Sequence, residues 1–354
     1  MGQPGLGLVA SAIVIAISLG YLSLFDFGTF IGWIAFFMLC LIPAQIVTVV
    51  LAPNPPYAPA SQPARGLVLL LITAITAAVI TPIALAIAGE GVSPPGPIPS
   101  HYVVIVVPTT FFLAIIFGGW PFTKMSRNGG VVGALVLVAA YGITYAVFRL
   151  FFNYDYMVGA PVYLPSAPQG MFNGEMALVF YVTALAGMFL LLHFDLWPLS
   201  KSPGMMKQPV LGFAFLAISL AIGAVVMWMT ASQLGMRPMY ILTRITAPFI
   251  FGTIIVLNML QNSLFATLTQ PLKGLANASA AAVIGIVLAQ IYGLAAPAIV
   301  GAFPTDVPDA YEVWLVNALL SVTFPFLIFH AAYFNYWPLL SARAAASAAA
   351  AQTT

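Results

Sequence analysis

The chain has 354 residues, of which 62% are hydrophobic and only 5% charged, at a mean hydropathy of +1.06. Soluble domains carry about 25% charged residues, so this composition excludes a water-solvated globule and requires lipid as the solvent. Its basic residues are scattered and build no patch or stripe, which excludes a nucleic-acid-binding surface.

Apolar runs close to the ~20 residues needed to cross ~30 Å of hydrocarbon fall at 6–24, 29–51, 66–88, 102–119, 131–152, 176–196, 210–230, 246–268, 275–299 and 313–336. The runs are continuous rather than alternating, and about twice as long as a barrel strand. A closed barrel is the only other spanning solution, so the expected fold is all-α: a polytopic membrane protein of about ten transmembrane helices. The first run lacks a basic flank and leads directly into the second, so it reads as a spanning helix rather than a cleaved signal. Cys40 is the one cysteine and lies within the second run, which leaves no disulfide framework.

Two motifs recur between the runs. Gln-Pro-x-x-Gly starts at Gln3, Gln62, Gln208 and Gln270, and Phe-x-x-Trp-Pro starts at Phe117, Phe194 and Phe334. Proline suits the first turn of a helix but not its interior, so Gln-Pro marks entry into a helix and Trp-Pro an exit. With a degenerate copy near Gly129–Gly133, the pattern predicts five hairpins at about 3–53, 62–122, 129–199, 208–271 and 270–339. Each hairpin adds two crossings, so successive units keep one orientation, unlike inverted transporter repeats. Residues 344–354 are Ala-rich and expected to fray.

The even-numbered connections and the C-terminal segment hold Arg65, Lys124, Arg127, Lys201, Lys207, Lys273 and Arg343, against Arg149, Arg237 and Arg244 near the odd ones. The positive-inside rule then places both termini in the cytoplasm of a multi-pass protein of the cell (inner) membrane. The external loops 90–100, 152–175 and 302–312 are rich in Pro, Tyr or acid, and are the expected surface for a protein partner.

Candidate functional residues are few. Asn258, Gln261 and Asn262 are spaced three and four apart in the eighth run, which predicts one helical face. Facing Asn317 and Ser321 of the tenth run, they would line a path for a small neutral or weakly polar solute. His193 and His330 precede the second and third Trp-Pro junctions at similar depth, where a facing pair could hold haem b or sit beside a quinone. Metal-ligand spacings are absent, as are phosphate-loop, nucleophile-elbow and dinucleotide motifs, so no catalytic activity of its own is expected. The leading expectation is a permease or channel-like transporter. The other is an integral subunit of a multi-protein membrane complex, with a haem- or quinone-contacting redox complex as one form of it, that docks a partner on its outer face.

Topology reporters provide the first test. Fusions at Lys124 and Lys201 are expected to read cytoplasmic and those at Ser93, Pro165 and Asp309 external. A reversed reading at either set would overturn the orientation.

Overall fold

The computed structural model describes residues 2–340 apart from 54, 56, 57 and 60. Arg343 and the Ala-rich tail lie outside the described residues. Among the described residues ten helices are long and apolar enough to span a membrane: α1 (Gly5–Leu22), α2 (Phe27–Leu51), α3 (Ala64–Gly89), α4 (Pro97–Ile116), α5 (Gly129–Phe151), α6 (Gly174–His193), α7 (Val210–Gln233), α8 (Pro238–Met259), α9 (Leu272–Val300) and α10 (Ala310–Tyr333). Among the described residues the only sheet is a two-residue parallel pairing of β1 (Phe152–Asn153) with β2 (Phe172–Asn173). The protein is an all-α polytopic membrane protein.

Nine spans lie close to the expected runs. The eighth does not: α8 is Pro238–Met259, not 246–268. Arg244 was expected to mark a connection, yet it lies inside the helix, its guanidinium stacked on the rings of Tyr240 and Tyr311. At the other end Gln261 and Asn262 take positive φ angles of 50° and 57°, which an α-helix cannot continue through.

Burial separates the helices into two classes. In α2, α4, α6, α8 and α10, 61–72% of the spanning window is buried, against 22–39% in the odd-numbered helices. The even helices form an inner ring, each packed on the next in the order α2, α4, α6, α8, α10, and α10 returns to α2. A bond from Gln45 Nε2 to the Pro325 carbonyl (2.9 Å) ties that closure. Each odd helix lies outside, against two inner neighbours: α1 on α8 and α10, α3 on α10 and α2, α5 on α2 and α4, α7 on α4 and α6, and α9 on α6 and α8. Exposed Leu, Ile and Val along the odd helices, such as Leu71, Ile75 and Val79 on α3, are the lipid-facing surface.

The ring is held at one end by a recurring contact. The side-chain amides of Gln3, Gln62, Gln208 and Gln270 donate to the carbonyls of Met259 (3.1 Å), Tyr333 (2.7 Å), Ile116 (2.6 Å) and His193 (3.1 Å). Each acceptor is the last residue of an inner helix. That carbonyl has no partner within its own helix, and in lipid an unpaired one costs several kcal/mol. Gly66, Gly212 and Gly274 of the same motifs press on the rings of Phe334, Phe117 and Phe194, and Gly7 presses on the Met259 carbonyl. A methyl group at any of these four would overlap its neighbour. All four Gln-Pro and all three Trp-Pro bonds at these junctions are cis.

After the ends of α4, α6, α8 and α10 the chain makes a left-handed pair: Gly118-Gly119, Asp195-Leu196, Gln261-Asn262 and Asn335-Tyr336. The following amide, from Trp120, Trp197, Ser263 or Trp337, bonds back to the carbonyl of Phe117, Phe194, Leu260 or Phe334. Leu260–Ser263 therefore has the backbone of a Phe-x-x-Trp junction without its aromatic residues. At α5 the lock is reduced to Gly129 against the Leu51 carbonyl, and Asn128 caps the helix through Oδ1.

Close backbone approaches fix the outer helices to the inner ones. Gly252 of α8 lies on the Ala281 carbonyl of α9, and Gly285 of α9 lies on the Pro248 carbonyl of α8. Small residues permit this approach, which replaces a hydrophobic drive that is missing between helices in lipid.

Gly212→Val is expected to destabilise the detergent-solubilised protein by about 2 kcal/mol, in the range of overpacking. Phe117→Ala should cost less in the Gly212→Val background than alone, since both remove one contact. Thermal unfolding of the double-mutant cycle checks this, and strict additivity would contradict it.

Candidate functional site

The expected polar path does not assemble. Asn258 lies in the last turn of α8, while Gln261 and Asn262 lie beyond it in the left-handed turn, so the three amides share no helical face. Asn262 accepts at Oδ1 from Asn277 Nδ2 of α9 (2.7 Å), and the carbonyl of Asn258 takes the Tyr336 hydroxyl (2.7 Å). Asn317 and Ser321 lie far along α10 from that end. Sixteen residues separate Asn317 from the end of α10, about 24 Å at 1.5 Å per residue. These two bond inward: Asn317 Nδ2 to the Val313 carbonyl (2.8 Å) and Ser321 Oγ to Asn317 Oδ1 (2.8 Å). The α8 group therefore does not meet the α10 group, because the register of α8 differs from the one its apolar run implies.

The two histidines are also held apart. His193 is fully buried, its Nε2 on Thr253 Oγ1 (3.1 Å) and its ring against Phe249. His330 sets its ring edge-on to Tyr336. Helix α8 stands between their helices in the inner ring, so they do not form a facing pair for haem. Among the described residues no group of three or more His, Cys, Asp or Glu comes together.

Aromatic side chains meet across the interior of the ring. Phe111 of α4 packs on Phe189 of α6 at 5.1 Å between ring centroids and on Phe324 of α10 at 6.1 Å. All three are buried. Helices α4 and α10 are not neighbours in the ring. Five helices ~9 Å apart place non-neighbours ~15 Å apart, a gap that two phenylalanine side chains bridge.

Polar side chains inside the bundle pair laterally instead. Tyr292 of α9 and Ser18 of α1 both bond Thr323 of α10. Thr144 of α5 and Tyr181 of α6 meet at Thr109 of α4. Thr73 of α3 bonds Tyr333 of α10, and Thr183 of α6 bonds Thr246 of α8. Isolated Ser and Thr in apolar runs carry no periodic signal, so this pairing was not readable before the helices were placed. An apolar cleft of about 170 Å³ opens between α6, α7 and α8, lined by residues such as Gly187, Ile222 and Phe249.

The two ends of the bundle differ in charge. At the junction end Lys124 and Lys201 stack over Trp120 (6.0 Å) and Trp197 (5.6 Å). Asp195 is bound there by Lys273 (2.9 Å) and Gln270 (2.9 Å), rather than by the nearby Lys201. At the other end the connection between α5 and α6 is an ordered cap. Tyr154 is buried and bonds His101 Nδ1 (3.0 Å). Ser166 donates its amide to Glu90 (2.9 Å) and accepts at its carbonyl from Arg149 (2.6 Å). Arg149 is thus held by a backbone carbonyl, and not by Asp155 or Glu175. The cap exposes Tyr156, Val158, Val162, Met171 and Phe172.

No family model, no curated protein and no solved structure matches this chain.

Burial alone would raise the Asp195 carboxyl, but the bonds from Gln270 and Lys273 outweigh it and hold the group below the usual carboxylate range. A depressed folded-state pKa contributes stability above the unfolded carboxylate pKa, and loses it as pH falls through the folded value. The thermal midpoint of Asp195→Asn is therefore expected to lie below wild type at pH 7 and to converge with it in acid. A pH-independent gap would contradict the assignment.

Proposed function

We infer that this protein is an integral scaffold subunit of a membrane complex rather than a conduit, built from five copies of one helical hairpin. The observation that carries this reading is the aromatic contact across the ring, where Phe111, Phe189 and Phe324 of three inner helices meet inside the bundle. The amides in the bundle add to it, since they bond to one another and to the backbone instead of facing a shared cavity. The stiff cap between α5 and α6, with exposed Val158, Val162 and Met171 beside Asp155 and Glu175, is the partner surface on this reading. The basic junction face is then cytoplasmic and the cap external.

One observation favours a solute permease instead. The stretch Asn317–Thr323 is π-helical, and such segments are frequent at functional sites.

Two measurements decide between the readings. In proteoliposomes, permeation of urea, glycerol and erythritol is expected to equal that of protein-free vesicles. Saturable flux abolished by Asn317→Ala would sink the scaffold reading in favour of the permease. In mild-detergent extracts of the native membrane the chain is expected to migrate above the mass of one copy plus micelle. Val158→Asp with Met171→Asp should return it to that mass while it stays folded, and no change on substitution would remove the cap as the partner surface.

A further inference from the structure

Among the described residues Arg244 is the one Lys or Arg inside a spanning segment and outside both its first and its last turn. It lies six residues from the start of α8, ~9 Å below that end at 1.5 Å per residue. Its guanidinium carbon stands 5.2 Å from the centroid of Tyr240 and 5.5 Å from that of Tyr311, so two rings from α8 and α10 hold the planar group between them. Tyr311 is seated in turn on α9, where its hydroxyl lies over Gly293 in space that any Cβ would fill. Three helices thus build the clamp.

The clamp supplies no anion. Arg244 makes no hydrogen bond or ion pair to any described residue, and its buried Nε has no partner. Asp309, two residues before Tyr311, is taken by Arg237 at 2.8 Å. A guanidinium presents five donors in a fixed fork that matches an oxyanion, and a cation at this depth is costly unless it is paired. The clamp opens towards lipid. Tyr240 is 42% exposed and Ile245, the next residue after Arg244, is 38% exposed. On α9, Leu294 next to Gly293 is 82% exposed.

We propose that Arg244, held by Tyr240 and Tyr311, binds the phosphate of an anionic phospholipid in the leaflet opposite the Trp-Pro junctions, with an acyl chain along Ile245 and Leu294. A long side chain rooted one to two turns inside the helix reaches the headgroup layer, where the tyrosine faces fix its plane. Free phosphate shares the oxyanion chemistry but has no use for the apolar strip beside the clamp.

The test is native mass spectrometry of the full chain titrated with phosphatidylglycerol, for wild type, Arg244→Gln and the control Lys124→Gln at the other face. Wild type and Lys124→Gln are expected to keep one tightly held lipid that Arg244→Gln loses, with affinity down about tenfold, as fits loss of a charge-assisted pair. Should Arg244→Gln fail to fold, Arg244→Lys is read instead, and weaker binding is expected because the charge stays but the stacked fork does not. Equal lipid occupancy in wild type and in the folded variant would overturn the proposal. So would a thermal stabilisation by inorganic phosphate that needs Arg244 and that phosphatidylglycerol fails to compete away.

Discussion

The structure depends on one constraint: the last carbonyls of the inner helices must be paired at a depth where water is scarce. An inner helix cannot do this for itself, since its final carbonyls have no amide a turn further on. The glutamine at the start of an outer helix supplies the missing donor from a different hairpin, at Met259, Tyr333, Ile116 and His193. A net hydrogen bond contributes only about 1 kcal/mol, but leaving the carbonyl bare is the costlier alternative. Each hairpin is therefore completed by another.

The direction of that completion shapes the whole bundle. An outer helix docks on the inner helix that ended two hairpins earlier in the chain: α5 on α2, α7 on α4, α9 on α6. The same step carried round the ring takes α1 to α8 and α3 to α10. No inner helix is left uncovered, and the glycine under each phenylalanine sets how closely the docking helix can lie. Phe111, Phe189 and Phe324 meet across the ring of five inner helices, and hydroxyls such as those of Thr109, Thr183 and Thr323 are paired laterally. Arg244 stands apart because two aromatic rings hold it and no described residue bonds its guanidinium.

Much of this was legible in the sequence. Continuous apolar runs mark the spans because hydrocarbon thickness leaves little freedom in their length. The Gln-Pro and Phe-x-x-Trp-Pro motifs mark the junctions because proline and left-handed turns punctuate helices. The misreading of α8 has a physical cause: an arginine clamped by tyrosines is tolerated inside a helix, and Leu260–Ser263 keeps the junction backbone without its aromatic residues. Amide spacing then misled, since Gln261 and Asn262 belong to a turn and not to a helix face. Which hairpin docks on which is invisible in one sequence, because the motifs are alike and carry no address.

That docking order is the central claim, and cysteine cross-linking reads it directly. In a Cys40→Ala background, Gly66→Cys paired with Phe334→Cys joins the second hairpin to the fifth, and Gly66→Cys paired with Phe117→Cys stays within the second hairpin. Mild oxidation of membranes is expected to link the first pair rapidly and to leave the second unlinked. Linkage of Gly66 to Phe117 with none to Phe334 would mean that each hairpin closes on itself, and the ring would not exist.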